Sequence, residues 1–323
     1  MLIGTIFGLI TAVTLGVNNL LTAVVTRRFG VLRSTLTTLS IAFVVMIGWA
    51  VTIGVPFRVT TSQLVFLGVL GMAAAASFVG TYMALRLGPV SVVSPITALA
   101  GAMTVVYSYL WLGEEIRAVQ WVGIAIAVGG AVLASLVIER GARIRLVTWG
   151  PVFAMIGVLV GAVSNAGLRI PILTAADFGY GDFSLPILNI PLQNDLDPNL
   201  TVITQRAYTV LYVALLFVAV TWWRNRRRRP GGGPFALEAA DQTRVTWRMG
   251  WLLILVGLID AVSFISFGYG LANAPAWLIG ILSQSGRVIA VIGGVVFFKE
   301  RLHRLQWLGV ALVGVGVVMS IAG

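Results

Sequence analysis

The chain is predicted to be an all-α integral membrane protein of ten transmembrane helices, arranged as two inverted five-helix repeats. Three observations carry this. First, 59% of the 323 residues are hydrophobic and only 10% are charged, against about a quarter charged in a soluble globular domain, so there is too little polar residue to cover a water-facing surface. Second, ten apolar stretches are each long enough to form the helix of roughly 20 residues that crosses a ~30 Å hydrocarbon core. Third, the second half of the chain repeats the pattern of the first.

The apolar stretches run approximately over 2–25, 34–55, 62–85, 89–111, 118–138, 149–170, 202–223, 249–271, 275–298 and 304–322. An open sheet cannot span lipid, and these runs are far longer than a barrel strand of roughly ten residues. The first run has no basic segment before it and no evident small-residue cleavage site, so it reads as a helix and not as a signal peptide. Most connections are short, which makes successive helices antiparallel neighbours. Two are long. Segment 171–201 is acidic and Pro-rich, with Asp177, Asp182, Asp195 and Asp197. Segment 224–248 holds Arg226 to Arg229, then Pro230 and three glycines, and reads as a solvated linker anchored near anionic lipid.

The net charge of +11 is a topology marker here and not a nucleic-acid surface. Seventeen Lys and Arg residues fall in odd-numbered connections, and only Arg58 and Arg117 in even-numbered ones. The positive-inside rule puts the odd connections in the cytoplasm. With ten spans, both termini are then expected outside a multi-pass protein of the plasma or inner membrane. Trp49, Trp111, Trp149, Trp222, Trp223, Trp251 and Trp277 lie near span ends and are expected to anchor at the interface.

Residues 85–132 align without gaps onto 271–318. Leu85 matches Leu271, Pro89 matches Pro275, Glu114 matches Glu300, and Gln120-Trp121-x-Gly123 recurs as Gln306-Trp307-x-Gly309. Upstream, Val17-Asn18-Asn19 resembles Val163-Ser164-Asn165 more weakly. The repeats are expected at 1–146 and 147–323. An odd number of spans per repeat inverts one half relative to the other. Secondary transporters commonly use this device, with a substrate site between the halves.

Each half has an acid-bearing turn leading into a Gly-rich span, Leu112-Gly113-Glu114-Glu115 and Phe298-Lys299-Glu300-Arg301. Each also has a turn like Leu85-Arg86-Leu87-Gly88-Pro89 about 25 residues earlier. In these features the chain resembles the ten-helix, EamA-like permeases of the drug/metabolite transporter superfamily. The resemblance implies export of amino acids, other metabolites or drugs, coupled to protons or by exchange. It also implies termini in the cytoplasm, opposite to the charge bias.

The chain has no Cys and one His, His303, so thiolate chemistry and Cys- or His-based metal sites are excluded. No phosphate-binding loop is present, which excludes an ATPase engine. No enzyme activity, cofactor or metal is expected. The expected partners are a small-molecule substrate and membrane lipid, with no nucleic acid, in a monomer or a homodimer.

Polar groups inside a span are costly and face the protein interior. Asp260 and Arg287 sit near mid-span on successive helices, where the first repeat has Ala74 and Gly101. Together they suit a zwitterion such as an amino acid; the alternative is a structural ion pair. Gln284 and Ser283 share a face with Arg287. Asn18, Asn19, Asn165 and Ser94 offer uncharged hydrogen-bonding groups, and Tyr82 and Tyr269 are candidate cavity walls. Small polar residues also serve as helix–helix contacts. Gly129, Gly130, Gly314 and Gly316 read as close packing or a dimer face. The leading reading is a secondary transporter of small polar metabolites, amino acids foremost. The alternatives are a proton-coupled exporter of cationic drugs and a non-transporting scaffold or lipid-handling protein.

Overall fold

The computed structural model describes residues 2–88, 90–113, 115, 117–135, 149–173, 196–227, 247–297, 299 and 303–322. Pro89, Glu114, Glu300 and most of the two long connections lie outside the described residues. The first half comprises α1 (Leu2–Phe29), α2 (Val31–Thr52), α3 (Thr61–Leu87), α4 (Val90–Leu112) and α5 (Ala118–Ser135). The second comprises α6 (Trp149–Gly167), α7 (Pro198–Arg227), α8 (Trp247–Asn273), α9 (Ala276–Ser285), α10 (Arg287–Phe297) and α11 (Arg304–Ala322). Among the described residues, seven spans are long and apolar enough to cross a membrane, and three shorter apolar helices complete ten.

Local chemistry sets the ends. Gly30 alone joins α1 to α2 at φ 90°, a conformation that costs a residue with a Cβ. A capping box of Thr60 and Gln63 starts α3. Asp197 caps α7, its Oδ1 accepting from the backbone N–H of Asn199 at 2.8 Å and of Leu200 at 3.3 Å. Pro198 follows at the first helical position, where no N–H is needed. The end of the acidic connection is therefore helical, and α7 begins earlier than hydropathy implies.

The ninth span differs from expectation in being two helices. It breaks at Gly286 (φ −60°, ψ −15°), where the Ile289 N–H bonds to the Gly286 carbonyl at 2.9 Å. The need for glycine at the break lies on α1. A Cβ at Gly286 would be driven into the carbonyl oxygen of Ala12, and one at Gly16 into the carbonyl oxygen of Gly286. The two backbones cross in contact there.

Helix packing follows the repeat. The pair α3–α6 has its counterpart in α8–α1, α4–α6 in α9/α10–α1, and α3–α7 in α8–α2, while α5–α11, α4–α9 and α2–α7 pair across the pseudo-symmetry axis. The first helix of each half is thus seated in the other half. A matching latch closes each end of the bundle. Arg27 at the end of α1 donates to the Gly88 carbonyl at 2.9 Å. Arg169 after α6 donates to the Ala274 carbonyl, the repeat equivalent of Gly88, at 2.8 Å.

The polarity is inside-out relative to a soluble protein. Val44, Val69, Met72, Leu215, Val218, Ile292 and Val296 are exposed, while Asn18, Gln205, Arg206, Asp260 and Gln284 are buried, as lipid requires. Six of the seven interfacial tryptophans are exposed. Trp277 instead packs against buried residues of the core, because it opens α9 where that helix meets α4 and α8. Gly130 and Gly316 pack against the facing backbone at the α5–α11 crossing, whereas Gly129 and Gly314 border open space.

Candidate functional site

A cavity of about 100 Å³ lies where the two repeats meet. Thr11, Asn18 and Asn19 of α1, Ser77 and Tyr82 of α3, Thr97 of α4, and Ser164 and Asn165 of α6 contribute to its wall, as do Gln205 of α7, Ser263 of α8, Ser283 and Gln284 of α9, and Arg287 of α10. Phe78, Phe264 and Phe267 supply its aromatic surface. Asn18, Asn19, Tyr82, Asn165, Gln284 and Arg287 were legible as candidates from sequence and are brought together here.

Most hydroxyls in this interior are spoken for within their own helices. Thr11 donates to the Phe7 carbonyl, Thr104 to the Ala100 carbonyl and Ser283 to the Gly280 carbonyl. Other polar atoms on the wall have no partner: Asn19 Nδ2, Gln205 Oε1 and Ser263 Oγ. Buried polar groups are almost always paired, so these three atoms, closed off as they stand, are left with an unmet need that a shift of the wall would open to water or a solute. Gln205 Nε2 is engaged, donating to Ser164 Oγ at 2.7 Å, and Ser164 in turn donates to the Leu70 carbonyl.

Three nominated residues fall outside the cavity wall. Ser94 is buried, but its Oγ has no partner and does not line the cavity. Tyr269 lies about 13 Å further along α8 than Asp260, at 1.5 Å per residue. There its hydroxyl accepts from Asn199 Nδ2 at 3.0 Å, and its ring stacks on Phe7. Asp260 is buried behind the wall. Its partner is not Arg287 but Arg206, with Arg206 Nη2 2.9 Å from Asp260 Oδ2. Asn18 Nδ2 donates to Asp260 Oδ1 at 3.3 Å. The Arg206 guanidinium lies 3.8 Å from the Phe264 ring centroid and 4.8 Å from that of Phe78, so two cavity-lining rings stand against the cation on their other side. The pairing of Asp260 with Arg287 is thereby corrected. Arg206 sits two turns into α7 because that helix starts at Pro198, so it reaches the depth of Asp260.

Among the described residues, Arg287 bonds only to neutral groups. Its Nε donates to Gln284 Oε1 at 2.9 Å and its Nη1 to Thr97 Oγ1 at 2.7 Å. Ser77, Phe78, Gln205, Arg206 and Ser263 are among the interior residues that sequence reading missed. For Arg206, the available clue was that it is another base inside a span, and so a rival to Arg287 as the counter-ion of Asp260.

The fold agrees with known proteins. The model of the EamA-like transporter family matches residues 2–136 and again 192–322. An uncharacterized transporter of Sinorhizobium sp. is 32% identical over 24% of this chain and 55% of its own length. An uncharacterized transporter of Pseudomonas aeruginosa is 30% identical over 38% of this chain and 37% of its own length. The matched stretches thus span about half or less of these relatives. A crystal structure of 16% sequence identity superposes with a TM-score of 0.67 over 99% of this chain and 96% of the other, a likeness of fold. With both halves matched by the same family model, the chain belongs to the EamA-like transporter family.

Proposed function

We propose that the chain is a secondary transporter that moves small polar metabolites, amino acids first among them, by alternating access driven by a gradient or by exchange. The carrying observation is the central cavity. Both repeats build it, and its lining residues Asn19, Gln205 and Ser263 hold Nδ2, Oε1 and Oγ buried without partners around the same cavity as Arg287. A polar solute can satisfy these groups, and release them when the repeats repack. In this reading residues 1–146 and 147–323 are the repeat units, with α1 and α6 exchanged between them.

The test is counterflow in liposomes reconstituted with the full chain and preloaded with amino acids or small carboxylic acids. Solute-dependent counterflow is expected. Gln205→Leu is expected to weaken it about tenfold, the equivalent of one lost hydrogen bond of about 1.4 kcal/mol. No exchange of any solute in the panel would favour a scaffold or lipid-handling role. The cationic-drug reading is weakened because Asp260, its carrier acid, is already engaged by Arg206.

The orientation we propose follows the charge bias, with odd-numbered connections in the cytoplasm and both termini outside. In intact cells, a membrane-impermeant thiol reagent is then expected to label Tyr180→Cys and to leave Gly231→Cys untouched. The reverse pattern would place both termini inside.

A further inference from the structure

The charge and shape of the wall around Arg287 narrow the solute, on the premise of the transport reading above. Among the described residues no Asp or Glu lines the central cavity. Asp260, the one buried acid nearby, is bound to Arg206. Among the described residues, Arg287 therefore faces the cavity as a cation held only by Thr97 and Gln284. It also opens α10, so the positive end of that helix adds to its charge. A guanidinium in a membrane interior without a counter-ion is costly, and an anion in the cavity removes that cost.

Arg287 lies at the junction of two compartments. It also lines a second cavity of about 170 Å³ between α4, α9, α10 and α11, walled by Val288, Val291, Val310, Val313 and Val318 with Gly314. Val288 and Val318 are themselves exposed on the lipid-facing surface. A polar chamber and a valine-lined crevice thus meet at one cation. We infer that the solute is an organic monoanion with a short apolar chain. Its carboxylate pairs with Arg287 and its chain occupies the crevice. The ammonium group of an amino acid has no acid among the described lining residues to meet there, so it adds no charge pair to what the matching fatty acid makes.

The full chain in nanodiscs, followed by ligand-dependent melting, tests this with acetate, butyrate, hexanoate, norleucine, butyramide and butylamine. Butyrate and hexanoate are expected to raise the midpoint more than acetate, norleucine no more than hexanoate, and butyramide and butylamine not at all. Arg287→Gln is expected to weaken hexanoate at least about 30-fold, as losing one member of a buried charge pair does. It should melt no lower than the native protein without ligand, because it removes an uncompensated charge; a purely structural Arg287 would give a lower midpoint. Gly314 borders open space, with no atom within 4 Å of an added Cβ. Gly314→Leu is therefore expected to fold and fill the crevice, weakening hexanoate about tenfold, the value of nearly two buried methylenes, while sparing acetate. Equal stabilisation by butylamine or butyramide, or an unchanged hexanoate response in Arg287→Gln, would overturn the anion. Equal responses to acetate and hexanoate, or no effect of Gly314→Leu, would overturn the crevice. If no anion shifts the native protein while other solutes still undergo counterflow, this inference falls and the transport reading stands; if counterflow is also absent, both fall.

Discussion

Asp260→Asn is expected to destabilise the protein by about 3–5 kcal/mol, the cost of leaving a buried charge without its partner. The orphan would be Arg206, which is fully buried. Its contacts with Phe264 and Phe78 do not replace a carboxylate. The repeat itself supplies the rescue. Gly71 on α3 and Gly257 on α8 are equivalent glycines. Gly71 is closed over by Tyr208 and the Gln205 carbonyl, and Gly257 by Ile41 and the Thr38 carbonyl. That registers Thr38 with Gln205 and Ile41 with Tyr208, so Leu39 of the first half stands where Arg206 stands in the second. Ala74 stands where Asp260 stands. Leu39 and Ala74 are both buried. The first half thus has two buried apolar residues at these positions, and well-packed apolar replacements of buried ion pairs are often neutral or stabilising. The double variant Arg206→Leu with Asp260→Ala is therefore expected to recover most of the stability lost in either single variant. A thermal double-mutant cycle reads the coupling directly. A single Asp260→Asn variant that melts with the native protein would show that the pair is dispensable. A double variant as unstable as the singles would show that the second half needs these side chains for more than charge.

What the sequence disclosed about this molecule depended on how local each feature is. The spans, their alternation and the repeat were legible because lipid imposes long apolar runs and because the offset between Pro89 and Pro275 holds across both flanking helices. Asn18, Asn19 and Asn165 were legible because an amide in mid-span has few explanations other than an interior contact. The partner of Asp260 was not. Hydropathy placed Arg206 near the edge of a span, and only the Asp197–Pro198 start of α7 carries it to depth. Ser94 failed for a related reason. It shares helix α4 with Thr97, but only Thr97 reaches Arg287, and the sequence does not say which side of α4 meets α10. The break in the ninth span was hidden because its glycine answers to the carbonyl oxygen of Ala12, which is far away in sequence and belongs to the other half.

That break is also where substitution is expected to be least tolerated. Gly286→Ala adds one methyl group, and in an isolated helix such a change is favourable by about 1 kcal/mol. Here the methyl would enter the Ala12 carbonyl group, which is backbone and has no rotamer to change. Overpacking a rigid contact costs about 1–3 kcal/mol and occasionally more; a clash with main chain on both sides of the crossing belongs at the upper end. Gly129→Ala is the control, since nothing lies within 4 Å of its added Cβ, and it is expected to be neutral or slightly stabilising. The loss at Gly286 reaches the site as well. Its neighbours Gln284 and Arg287 lie on the cavity wall, so parting α1 from the α9–α10 junction would move both against Asn18 and Asn19. Gly286→Ala is therefore expected to lower the melting midpoint and counterflow together. A variant that melts normally yet fails in counterflow would mean that the crossing yields at rest but not during transport, and would make this junction a moving part. A variant normal in both would show that the contact has room the backbone geometry does not display.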